Sequence, residues 1–206
     1  MRADEYERIL NADPEFQRRR WEREALRQRK IELYARAEAP LVAALRDAGV
    51  TVASVWDLVN TAEPYTHVLP ILLEHLQRPY PDRIKEGIGR AMAVRESKFA
   101  WSTLLKLFRQ SFEQEPNGVK WAIGCALAAA ADDEVMSDVI ALFCDPRHGE
   151  NRLAFVDALR RSRNAAARAA MEEAREDPQL AREMRRVLGR PRKPQPYIPP
   201  SSADGP

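Results

Sequence analysis

Glycine is scarce, at 8 of 206 residues, and aromatic residues make up only 7% of the chain. That poverty excludes most all-β folds, which need turn glycines and β-branched or aromatic runs. Cysteine is limited to Cys125 and Cys144. Both lie in apolar helical contexts, which excludes a disulfide scaffold and predicts two small buried hydrophobes in a reducing compartment. No apolar run approaches the roughly 18 residues that span a bilayer. The start of the chain, Met1 to Tyr6, is charged where a secretory signal needs apolar residues. A cytoplasmic location is therefore expected.

Strong net charge is also missing. The total is +2, from 33 basic and 31 acidic residues, so bulk charge does not imply nucleic acid. Distribution says more. Residues 49–150 carry 10 basic and 14 acidic groups, whereas residues 151–190 carry 10 and 6. Residues 16–30 hold seven basic groups against two acidic ones.

What the chain does have is apolar residues, at 45% of the total, and well-punctuated helices. Asp13-Pro14 places a capping residue before a proline suited to the first helical position. A long helix is predicted from there to Ala39, ended by Pro40, with a short apolar helix from Pro40 to Ala48 stopped by Gly49. Val52, Val55, Trp56 and Val59 form an i, i+3, i+4, i+7 stripe. The pair of prolines in Arg78-Pro79-Tyr80-Pro81 forbids a regular helix there. Further helices are predicted over 82–94, 98–113, 117–131, 133–144, 150–162, 164–176 and 178–188. The proline-rich segment 190–206 has almost no core formers and is predicted to be a disordered tail.

The chain repeats itself at a period near 33 residues. Ile84-Lys-Glu-Gly-Ile-Gly-Arg-Ala-Met-Ala93 corresponds to Val119-Lys-Trp-Ala-Ile-Gly-Cys-Ala-Leu-Ala128, 35 residues later. Asn151-Arg-Leu-Ala-Phe-Val-Asp-Ala-Leu-Arg160 follows at an offset of 32, and a weaker copy ends at Leu188. Small residues recur (Gly87, Gly89, Gly124, Ala126, Ala158). Glycine inside a helix costs about 1 kcal/mol against alanine, so their recurrence predicts close helix–helix approach. The intervening helices correspond too, as in Leu69–Leu76, Ser102–Phe108 and Ser137–Phe143.

This alternation resembles HEAT-like helical repeats of the short bacterial kind, over residues 65–188. The chain departs from the common form in lacking a regular Asp-x-x-x-Val-Arg at each turn; Pro81-Asp82-Arg83-Ile84 comes nearest. The resemblance implies an all-α fold of stacked antiparallel hairpins, an α-solenoid. It would have a helical cap over 1–63, repeats over 64–189 and a tail over 190–206. It also implies a scaffold whose second helices line a concave binding face.

Two surfaces follow as candidates. The repeat offsets align Lys85, Lys120 and Arg152, a basic row of the kind that follows an acidic edge or a phosphate backbone, with Trp121 beside it. The helix over 16–30 is polar almost all round, and Arg18, Arg19, Arg20, Arg23 and Arg27 make it a basic arm. The function expected is non-catalytic binding of a protein partner, as an adaptor, assembly factor or inhibitor. Nucleic-acid binding through the arm and the row is the alternative. A third possibility, an enzyme resembling the alkylpurine glycosylases with HEAT-like repeats, needs an acid beside aromatics, and Asp157 near Trp121 is the one pair on offer. No cofactor or metal is expected: His67 and His75 stand eight apart, too far along a helix for joint ligation. Asp132, Asp133 and Glu134 are expected to open a helix.

Overall fold

The computed structural model describes residues 13–59, 61–110 and 118–189. These residues form ten α-helices joined by 3-10 turns, and no strand occurs among them. The expected tail over 190–206 lies outside the described residues.

Helix α1 runs from Pro14 to Asp47. Its start is as the sequence predicts: the Asp13 carboxylate accepts from the amides of Glu15 (2.9 Å) and Phe16 (3.3 Å). Its end is equally local. Gly49 adopts φ 88°, and the Val50 amide reaches back to the Leu45 carbonyl at 2.9 Å. The predicted break at Pro40 does not occur, and α1 is one helix through it. Proline lacks the amide that would bond one turn back and costs a helix about 3 kcal/mol. Contacts on both sides of the proline hold the helix together. The buried Glu38 carboxylate accepts from Ser54 Oγ at 3.0 Å and from the Val55 amide at 2.6 Å. Leu41 and Leu45 are fully buried beyond it.

The following helices are α2 (Trp56–Val59), α3 (Leu69–Leu76), α4 (Asp82–Ala91), α5 (Trp101–Gln110), α6 (Val119–Ala130) and α7 (Met136–Cys144). Then come α8 (Val156–Arg161), α9 (Ala165–Glu173) and α10 (Ala181–Leu188). Helix α6 is central. It packs on α4, on α5 and on the 3-10 segment Pro146–Phe155, while α7 packs on that segment, on α8 and on α9. One hydrophobic core runs from Leu41 and Leu45 through Leu72, Ile88, Ile123 and Phe155 to Met184.

The recurring small residues sit where neighbouring elements come closest. A side chain built on Gly89 would meet Ala122 Cβ at 2.9 Å, and one on Gly124 would meet Ala154 Cβ at 3.1 Å. Glycine at 89 lets α4 and α6 approach more closely than any larger residue allows. Gly89→Val is expected to lower stability by about 2 kcal/mol, read as a fall in the urea midpoint. An unchanged midpoint would mean that the two helices can part at no cost.

Two of the predicted elements are shorter or of another type. The third second-helix was predicted to begin near residue 150. Instead a 3-10 segment, Pro146–Phe155, contains Gly149 at φ 57°, and α-helix starts only at Val156. The stripe from Val52 to Val59 yields helix only over Trp56–Val59, with Val55 buried just before it.

Candidate functional site

The basic row dissolves in three dimensions. Lys85 is half-buried beside Asp82 at a shallow crevice that also touches Leu107 and Ile123. Lys120, by contrast, is 2% exposed, and its Nζ lies 5.3 Å from the centre of the Phe108 ring. Arg152 is also 2% exposed. Its Nε donates to the Gly149 carbonyl (2.9 Å), and its two terminal nitrogens donate to Asp177 Oδ2 (2.7 Å) and Gln179 Oε1 (2.8 Å). Lys120 and Arg152 are therefore interior groups of the fold, and the expectation of a ladder presented to a partner is corrected for both. Trp121 is half-buried.

The basic arm is where the sequence places it. Arg18, Arg19, Arg20, Arg23 and Arg27 are all exposed on α1. Three of them have carboxylates within a turn or so: Arg18 with Glu22 at 4.0 Å, Arg19 with Glu15 at 2.6 Å and Arg27 with Glu24 at 3.8 Å. Exposed pairs of this kind contribute little, about 0–1 kcal/mol.

The exposure of the apolar residues on the arm was not foreseen. Trp21 is 72% exposed, Leu26 56%, Ile31 49% and Leu33 60%. Among the described residues they are four of the five large exposed hydrophobics, the other being Phe99. The side chains of α1 that reach full burial are Leu41, Leu45 and Glu38, all in its last part. The first 23 residues of α1 thus reach beyond the core, about 33 Å at 1.5 Å per residue.

Where α1 leaves the body, a groove of about 450 Å³ opens between the arm and Arg83. The Arg83 guanidinium lies 3.6 Å over the Trp56 ring, whose Nε1 donates to the Arg83 carbonyl at 3.2 Å. Arg83 is thereby anchored at the edge of the groove, with Glu86 Oε2 3.7 Å from its guanidinium.

The remaining candidates are accounted for by structure. Asp157 is exposed and paired with Arg160 at 3.3 Å. Asp132 and Glu134 hold Lys98, and α7 begins just after them, at Met136. His67 Nε2 contacts the Ala48 carbonyl at 3.2 Å, and His75 Nδ1 is 2.8 Å from the Tyr80 hydroxyl. Among the described residues no group of three or more His, Cys, Asp or Glu side chains could hold a metal ion. Both thiols are free, but Cys125 is half-buried and Cys144 exposed, which corrects the expectation that both are buried. Burial raises the pKa of the Cys125 thiol, and partial desolvation together with the Glu173 carboxylate raises that of Cys144. Among the described residues no helix is long and apolar enough to cross a membrane.

Several of the described groups couple folding to pH, among them two histidines and two aspartates. Burial, reinforced by Arg78 at one site and Lys120 at the other, lowers the pKa of His75 and of His148 below 6.5. A hydrogen bond from Arg147 lowers Asp145 from 3.8 to about 2, and one from Arg152 lowers Asp177. In each case the folded pKa lies below the unfolded one. The stability is therefore present above the unfolded value and is lost as pH falls through the folded one. Urea midpoints are expected to fall first as pH drops below 6.5, and again below 3.8 toward about 2. The first fall should vanish in a His75→Gln/His148→Gln double variant, and its persistence would assign it to other groups.

No protein-family model, no curated protein and no solved structure matches the chain.

Proposed function

We propose that this chain is a non-catalytic partner-binding protein in which a HEAT-like helical stack is the scaffold and the exposed part of α1 is the main contact element. The observation that carries this reading is the exposure of Trp21, Leu26, Ile31 and Leu33 on a helix that extends beyond the core. A chain that leaves such residues in water has a surface for another molecule to cover. The recurrence of close-packed small residues between α4, α6 and the segment after α7 supports the stack as a rigid base.

A protein partner fits better than nucleic acid. Arginines alone would serve a phosphate backbone, and exposed leucine and isoleucine add nothing to phosphate contacts. Lys85 and Trp121, both half-buried, would be a second and smaller contribution from the stack.

Affinity capture from a lysate of the source organism tests the reading, with and without nuclease. Wild type should retain a stoichiometric protein after nuclease. The variant Trp21→Ser/Leu26→Ser/Ile31→Ser/Leu33→Ser should lose it, with at least a tenfold drop in recovery. Equal recovery by the two proteins would exclude the arm, and recovery abolished by nuclease would make the partner a nucleic acid.

A further inference from the structure

The buried side chains of α1 define a seam, and that seam continues along the exposed part. Leu45, Leu41 and Glu38 face the body. Stepping back by fours and threes from Glu38, the same face carries Tyr34, Lys30, Arg27, Arg23, Arg20 and Phe16. Spacings of four and three, here with two fours in succession at Tyr34, mark the stripe that one helix turns toward another. In the body this stripe is apolar apart from Glu38, whose carboxylate is fully bonded. On the arm its middle is cationic, closed at its ends by Phe16 and Tyr34. Leu26 and Ile31 flank it on either side, and Arg83 stands across the groove from it.

We propose that this groove receives an acidic amphipathic helix of the protein partner. Carboxylates of that helix would lie against Arg23, Arg27, Lys30 and Arg83, and its apolar flanks would cover Leu26 and Ile31. Charge complementarity selects this occupant. Lys30 has no carboxylate partner among the described residues, Arg23 donates to the Arg19 carbonyl at 3.2 Å, and Arg27 holds Glu24 only at 3.8 Å. A second copy of the chain would set this cationic seam against itself, and like charges facing across a helix pair repel. An uncharged amphipathic helix would leave the seam cations buried and unpaired, at a cost exceeding what Leu26 and Ile31 return. The inference rests on the arm being the contact element, as proposed above, and specifies what it contacts.

The test uses the full chain and a fluorescein-labelled 21-residue peptide of three heptads, with Glu at both seam positions and Leu flanking them. Fluorescence anisotropy at low salt should show saturable binding. The variant Arg23→Glu/Arg27→Glu/Lys30→Glu should weaken it at least tenfold, and a peptide with Lys at the seam should restore binding to that variant. The three residues are exposed, and an unchanged circular dichroism spectrum will verify folding. Absence of binding to wild type, equal affinity for wild type and variant, or tighter binding of a 21-nucleotide DNA strand would each overturn the inference. So would a chain that dimerises through the arm in sedimentation and excludes the peptide. Failure here is distinguishable from failure of the broader reading. If lysate capture depends on Trp21, Leu26, Ile31 and Leu33 while the acidic peptide does not bind, the arm stands and its acidic occupant does not.

Discussion

Arg152→Glu is expected to lower stability by at least about 4 kcal/mol, whereas Lys85→Glu should change it by no more than about 0.5 kcal/mol. The two residues align in the sequence but differ in burial. Arg152 gives all three of its guanidinium nitrogens to partners: a carbonyl, a carboxylate and an amide oxygen. Asp177 in turn caps the turn before α10, accepting the Gln179 amide at 2.9 Å. A glutamate at 152 would set a second carboxylate against Asp177 in a nearly closed site and leave the Gly149 carbonyl without its donor. The loss approaches the whole stability of an ordinary domain. Lys85 is half-exposed and can turn to solvent. Urea denaturation followed by circular dichroism measures both. Similar midpoints for the two variants would show that the network around Arg152 is dispensable.

Ile123→Asp should abolish cooperative folding. Ile123 is 2% exposed in α6, which packs on α4, on α5 and on the segment Pro146–Phe155. An unpaired carboxylate there must either remain charged in an apolar interior or take up a proton, and both cost several kcal/mol. Ile88→Asp, at the corresponding place in α4 and fully buried, should behave alike. Leu26→Asp, on the arm, should leave the thermal transition within a few degrees of wild type. A soluble Ile123→Asp protein that melts cooperatively would contradict the core described here.

The features legible in the sequence are those set by local chemistry. Asp13-Pro14 and Gly49 bound α1 because capping and positive φ depend on a few adjacent residues. Glycine and alanine at corresponding positions pointed to close packing, and Gly89 against Ala122 is an instance. The basic character of the arm was legible for the same reason, since a helix polar all round has no face to bury.

The fate of the aligned cations was not legible. Residue 152 aligns with 120 and 85 by offset, but it lies in the 3-10 segment Pro146–Phe155, whereas Lys120 and Lys85 lie in α-helices. Its partner Asp177 is 25 residues further on, beyond any local pattern. Pro40 misled for a related reason: the Glu38 anchor to Ser54 and Val55 spans 16 and 17 residues and holds a helix that proline alone would have ended. The exposed apolar residues of the arm went unread because a broken stripe of Trp21, Leu26 and Ile31 looks the same whether the body covers it or not.

Hydrogen–deuterium exchange on the free chain and on the captured complex tests the central claim most directly. Amides of residues 16–34 should exchange quickly in the free chain, since no core packs against them, and should gain at least tenfold protection when the partner binds. Protection of 16–34 already present in the free chain, or protection on binding confined to the surface around Lys85 and Trp121, would contradict the arm as the contact element.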